Sequence, residues 1–498
     1  MEGKKSIIGV ILTNNKKNSS KQVEADYSTR TGTVVNNEIQ SDATAKSLVR
    51  KLDIRIIPCL SALYCFAYLA RGNIGNAHLT TFDKDLHLSE AEYHISLTTF
   101  YLGYLLFQLP FSLLMKCFRP SYILAGTMVI FGVFSLSVAG ATDATSLIVL
   151  RFFLGVFEAG IGPGVPLYLS FWYERDEMAK RVSAYFSFST IAGALGGLVA
   201  YATFTTLQHT LGLKSWQWLF IIEGVPTILM GLLSFFILPD YPASASPKWL
   251  TEDEKALAID RMQGNISRRD EGFDIKQFKD AIVDYKNWMT ALISLGLHVP
   301  LTSFLFFLPT FIQSMGFSTM TSQLMTIPPY LAAFVAILIA SSSADRTMQR
   351  GLHIFVLSGI AAFGYVLAFI PSIWGKYIGI VLTGMGVYGA LPIILMLFEK
   401  LMAWTADNQY GHTKRATGLA LTNMIGQSFS MLGTQIYHKD DAPDYAKGHL
   451  ICFTFTLIAG AAALTLRTLL QRANNSADDQ VYDEDEDAKD FDRPKYII

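Results

Sequence analysis

Arg151 and Glu158 lie seven residues apart within an otherwise apolar run. That is two turns of helix, so both side chains leave nearly the same face. An ionised group inside a bilayer is costly, which makes each one a candidate for function. An acid and a base on one stripe can face a polar cavity, where Glu158 could take up and release a proton. A structural ion pair or helix anchor is the plainer alternative. Arg71 closes a second apolar run and precedes Gly72-Asn73-Ile74-Gly75-Asn76-Ala77. Its guanidinium is permanently charged and forked, which suits bidentate capture of a carboxylate; an interfacial anchor would use the same residue. Asn73 and Asn76 could add hydrogen bonds, though Asn76 could equally just pack. Gln108, just before Pro110, and Tyr64, Tyr68, Tyr101, Tyr104 and Tyr168 could line a cavity, although packing or interface anchoring is the commoner role of such tyrosines. Glu223 and His298 are weaker candidates of the same kind. Asp345-Arg346, with Arg350, could latch one conformational state, or be ordinary topogenic charge.

The elements that hold these residues are membrane helices. Of 498 residues, 51% are hydrophobic and 16% charged, against roughly a quarter charged in soluble chains, and the mean hydropathy is +0.32. A membrane helix needs about 20 apolar residues. Spans are expected near 54–78, 94–115, 121–140, 146–171, 182–206 and 216–238, then near 288–312, 323–341, 353–371, 376–398, 416–437 and 449–470. The expected fold is therefore an all-α membrane protein of 12 transmembrane helices in two six-helix halves. Its parts are a disordered N-terminal tail (1–51), a first bundle (52–238), a polar central loop (239–287), a second bundle (288–470) and an acidic disordered tail (471–498). An even number of spans puts both ends on one side. The Lys and Arg bias of the short loops, including Arg119, Arg181, Arg346, Lys414 and Arg415, makes that side cytosolic. The halves also echo each other: Ala179-Lys180-Arg181-Val182 and Thr413-Lys414-Arg415-Ala416 both lead into glycine-bearing helices, as in transporters built from repeated halves around a central site.

Several function classes are excluded or disfavoured. A net charge of −1 suggests no nucleic-acid partner. The four cysteines (Cys59, Cys65, Cys117, Cys452) show neither a disulfide framework nor metal-ligand spacing. No GxxxxGK[ST] loop is present, so nothing points to ATP as the energy source, and no His, Ser or Asp cluster near one membrane face suggests an enzyme. No cofactor is expected, only a proton gradient. Two other classes stay open: a nutrient sensor that keeps a transporter fold, to be marked by long signalling tails, and a facilitator for a neutral solute, which fits the intramembrane arginines poorly.

In combination, many segments over roughly 45–470 resemble the major facilitator superfamily, and within it the fungal anion:cation symporters of the allantoate permease type. They include Asn73-Ile74-Gly75-Asn76-Ala77, Arg151 through Pro163-Gly164 and on to Trp172-Tyr173, Trp218 through Gly224 with Pro226, and Leu238-Pro239-Asp240-Tyr241-Pro242. The second half adds Phe307-Leu308-Pro309-Thr310, Pro328-Pro329-Tyr330, Asp345-Arg346, Lys414-Arg415-Ala416 and Ala442-Pro443 with Tyr445. The resemblance implies proton-coupled uptake of a small carboxylate by alternating access, nicotinate or a similar vitamin or nitrogen-source acid being the first expectation. It implies substrate-binding roles for Tyr68, Arg71, Asn73, Gln108 and Arg151, a proton-coupling role for Glu158, and a conformational switch at Asp345, Arg346, Lys414 and Arg415. Partners are then an organic anion, a proton and the lipid bilayer, with the chain a monomer in the plasma membrane, or in the endoplasmic reticulum or vacuole. Two departures bear on proton stoichiometry: Ala70 stands where the family usually has an acid, and Gln108 where relatives often have Glu.

Overall fold

The computed structural model describes residues 44–208, 210–242, 249–266, 275–407 and 412–484. Its regular secondary structure is helical throughout the described residues. Twelve long helices follow in order: α1 (Thr44–His78), α2 (Glu90–Cys117), α3 (Pro120–Ser137), α4 (Ala144–Ile161), α5 (Arg175–Thr206), α6 (Ser215–Ile237), α7 (Tyr285–Ser314), α8 (Ile327–Thr347), α9 (Arg350–Leu367), α10 (Ile373–Asp407), α11 (His412–Gly433) and α12 (Ala446–Glu484). Starts are written locally. Ser89 and Glu92 form a reciprocal capping box before α2, Asp143 and Ser146 do the same before α4, and Pro120 opens α3.

Eleven of these helical stretches are long and apolar enough to cross a bilayer. The helix that falls short is α11, expected as a span near 416–437. Thr417, Thr422, Asn423, Gln427, Ser428 and Ser430 lower its hydropathy, and four of the six turn out to line a cavity. Helix ends also overrun the sequence reading: α1 begins at Thr44, inside the stretch assigned to a tail, and α12 runs to Glu484, past 471. A search for apolar runs stops at the first charges, whereas helical hydrogen bonding continues beyond the hydrocarbon.

The packing repeats between halves. In the first, α2 lies against α4 and α3 against α6; in the second, α8 lies against α10 and α9 against α12. Gly155 is the closest point of the α2–α4 pair, because a Cβ there would strike the Phe100 carbonyl. That approach places Arg151 and Glu158 beside the first two helices. Leu102, Leu106, Leu109 and Leu113 form an exposed stripe along α2, spaced so as to share one face and suited to lipid.

Between the halves, the short helix Glu252–Ile266 is fastened to the first half. Lys51 Nζ and Ser47 Oγ each donate to Glu254 at 2.8 Å, and Arg261 donates to Glu174 and Glu177 at 2.8 and 2.7 Å. Burial pushes the Glu254 carboxyl up, but hydrogen bonds from Lys51, the Thr251 N–H and Ser47 outweigh it and hold the group at about 2, below an ordinary 4.5. A carboxylate depressed on folding contributes stability above its unfolded pKa and loses it as pH falls toward the folded value. Hydrogen-exchange protection over 252–266 is therefore expected to hold from pH 7 down to 5. Glu254→Gln should lower it several-fold at pH 7; unchanged protection in that variant would mean the helix is held by other contacts.

Candidate functional site

The two halves enclose a cavity of about 120 Å³, room for roughly four waters. Residues at helical spacing build its wall. Tyr64, Tyr68 and Arg71 come from α1, Tyr101 and Tyr104 from α2, and Tyr185 and Phe186 from α5. The second half contributes Ser294, His298 and Leu301 of α7, Leu391 and Ile394 of α10, and Thr422, Asn423, Gln427 and Ser430 of α11. Toward the face opposite the chain ends, a layer of ring contacts closes it. The hydroxyls of Tyr68 and Tyr388 are 2.7 Å apart across the halves, and the Tyr388 ring packs 5.8 Å from Phe304 and 6.0 Å from Tyr330. Tyr101 and Thr302 add a second hydroxyl bridge at 3.2 Å.

Arg71 and Glu158 are brought together as a buried ion pair, the guanidinium NH2 donating to Glu158 Oε1. The rings of Tyr68, Phe100, Tyr101 and Tyr104 surround Arg71 at 5.2 to 5.9 Å from the guanidinium carbon. Removing both charges from water is expensive, and such a pair is weak support for stability. The pair is also incompletely satisfied: Arg71 Nε and Glu158 Oε2 have no hydrogen-bond partner among the described residues. A buried fork with a spare donor, at the wall of a small cavity, can accept an anion. A carboxylate with a spare oxygen beside it can accept a proton.

The other expected site residues lie elsewhere. Arg151 is 1% exposed but is not in the wall. Its two terminal nitrogens lie 3.5 Å from the Arg71 carbonyl, and its guanidinium stacks over Phe100 and Phe306. Seven residues share a face but also climb about 10 Å along the axis, which carries Arg151 past the cavity. Its field still reaches the Arg71–Glu158 pair. Asn73 is fully buried and faces the Glu223 carboxyl of α6, because two residues along a helix turn by about 200° and Arg71 already points to the cavity. Gln108 continues the Tyr101–Tyr104 stripe one turn further on. It is buried outside the wall, and its Oε1 has no partner among the described residues. Asp345 is bound by Arg350 at 3.0 Å, whereas Arg346 is exposed, so the ion pair at this turn is Asp345–Arg350. Lys414 and Arg415 stand in the first turn of α11, and their side chains lie outside the described residues. The sequence reading missed Tyr388 and the cavity face of α11. Asn423, Gln427 and Ser430 at i, i+4 and i+7 were the available signal.

Two six-helix halves with repeated packing, and a cavity between them with Arg71, His298, Asn423 and Gln427 in its wall, define a membrane transporter of the two-bundle type. Residues 60–434 match the profile described as Major Facilitator Superfamily, and the chain belongs to that superfamily. It is 33% identical to the MFS transporter prlL of a fungal species over 456 residues, 89% of this chain and 90% of that one. It is also 29% identical to the high-affinity nicotinic acid transporter of Saccharomyces cerevisiae, over 86% of this chain and 79% of that one. Among solved structures, the proton:xylose symporter XylE superposes with a TM-score of 0.62 at 13% identity, covering 84% of this chain and 95% of the other. That likeness concerns the fold.

Proposed function

We propose that the chain is a proton-coupled symporter of a small organic anion, a carboxylate of about the size of nicotinate, working by alternating access. The observation that carries the reading is the incompletely satisfied Arg71–Glu158 pair, with Arg71 in the wall of a cavity of about 120 Å³ and Glu158 bound to it just outside that wall. Without substrate the pair neutralises itself. An incoming carboxylate competes with Glu158 for the fork, and Glu158 then binds a proton, so the loaded site is again neutral with respect to these groups. A site holding only the anion or only the proton would carry one uncompensated charge in a low-dielectric interior, which disfavours its passage. Cotransport follows from that balance. Arg151 behind the pair adds a fixed positive field that favours an anion over a neutral solute. The nicotinic acid transporter among the relatives supports the choice of substrate class.

In this reading the basic short loops put both chain ends in the cytosol, the plasma membrane is the working address, and the monomer is the functional unit. The cavity, sealed by Tyr68–Tyr388 on the face away from the chain ends, then belongs to the state closed to the outside. The test is uptake of radiolabelled candidates by cells expressing the chain, at external pH 5 and 7. Nicotinate or a similar monocarboxylate should accumulate several-fold faster at pH 5, and an uncoupler should abolish the difference. Uptake that favours the amide over the acid, or that ignores pH, would overturn the proposal.

A further inference from the structure

On the face opposite the chain ends, Glu90 and His94 occupy the first turns of α2 four residues apart, on one face of the helix. His438, from the segment after α11, closes over them. The three potential ligand atoms lie within 4.8 Å of one another. His438 Nδ1 is 3.5 Å and His94 Nε2 3.8 Å from Glu90 Oε1. Ligand atoms bonded at about 2.0–2.1 Å to a tetrahedral ion sit about 3.3 Å apart, so only a few tenths of an ångström separate two of these distances from a coordinated arrangement. His94 Nδ1 donates to the Thr434 carbonyl at 2.6 Å, which leaves Nε2 with its lone pair turned to Glu90. A backbone carbonyl fixing the tautomer of a ligating imidazole is the usual outer partner of such a ligand. The Lys439 ammonium is drawn aside to Asp83 at 3.2 Å, while its backbone N–H donates to Glu90 Oε1 at 2.7 Å, leaving Glu90 Oε2 and the second lone pair of Oε1 for an ion. His94 is buried while His438 is exposed, so the group is anchored on one side and reachable from solvent on the other.

We infer that Glu90, His94 and His438 form a binding site for a divalent transition-metal ion of the Zn²⁺ class, bridging the two halves. Two imidazoles and one carboxylate suit Zn²⁺ and not Mg²⁺ or Ca²⁺, which take oxygen ligands. Glu90 and His94 belong to the first half and His438 to the second, so the full ligand set exists only while this face is closed. The ion therefore stabilises the closed face and slows the cycle. The inference is independent of the transported substrate.

The test uses the purified, untagged full chain in detergent, titrated with Zn²⁺ against a chelating dye and followed by thermal unfolding. One Zn²⁺ per chain should bind with micromolar or tighter affinity and raise the melting temperature, with Mg²⁺ and Ca²⁺ inert at the same concentrations. His438→Ala changes an exposed side chain, so the fold should survive, and it should weaken binding by tenfold or more. Glu90→Gln, which keeps the size of the side chain, should weaken it similarly. Absence of saturable 1:1 binding would overturn the site, and so would unchanged affinity in His438→Ala or an equal response to Ca²⁺.

Discussion

Glu158→Gln is expected to abolish accumulation of the anion against its gradient while leaving exchange across the membrane measurable. Glutamine has the size and hydrogen-bonding reach of the protonated acid but carries no dissociable proton. The variant is held in the loaded-like charge state, with Arg71 free to take the substrate carboxylate. One coupled proton moving down ~2 pH units supplies ~2.7 kcal/mol, enough for ~100-fold accumulation of a monoanion. In proteoliposomes with an imposed pH gradient, the accumulation ratio of Glu158→Gln should fall to near unity, while counterflow of labelled against unlabelled substrate persists. Full gradient-driven accumulation in this variant would remove Glu158 from proton coupling. Loss of counterflow as well, in protein that still reaches the membrane, would show that the carboxylate is needed for binding.

Substitution of Arg71 should reduce transport further. Two charge-assisted hydrogen bonds at ~1.5–3 kcal/mol each amount to at least ~3 kcal/mol, or ~100-fold. Arg71→Ala should therefore lower uptake at limiting substrate by that factor or more. Arg71→Lys separates charge from geometry: it keeps the cation but loses the fork that holds two carboxylate oxygens, and should still cost tenfold or more. The fold has a way to tolerate the loss, because Glu158 can stay protonated once its partner is gone. Normal uptake in Arg71→Lys would reduce the role of Arg71 to that of a point charge, and normal uptake in Arg71→Ala would remove it from the binding site. Arg151→Ala should also weaken transport sharply, through the lost field and the lost brace on the Arg71 backbone.

The residues of the ion pair were legible because charges within long apolar runs are few. That Arg71 would find Glu158, 87 positions later, was not, since the meeting depends on tertiary packing, including the close approach of α2 and α4 at Gly103 and Gly155. Helical phase explains the misplacements. Asn73 looked like a neighbour of Arg71 in sequence but turns to Glu223, and Arg151 shares the Glu158 stripe but sits two turns away along the axis. The second-half wall was quieter still: Thr422, Asn423, Gln427 and Ser430 are uncharged, and such residues also serve as ordinary helix–helix contacts in membranes. These residues, which depress the hydropathy of α11, are the ones that line the cavity. The Glu90–His94–His438 group was hidden because His438 lies far from the other two in sequence and near a helix end.

Gly75 of α1 would have no room for a Cβ against the backbone of Phe306 in α7. The first helix of each half thus meets its counterpart main chain to main chain, with no side chain interleaved between them at that level. Such a smooth bearing resists sliding little and separation only weakly, and it can roll. If the halves rock to expose the cavity alternately, this spot is a natural fulcrum, and the span from there to Arg71, about one helical turn, is a short lever. The binding pair would barely travel while the ends of the helices swing widely, so the cargo need not be carried anywhere: the membrane's two sides are brought to it in turn.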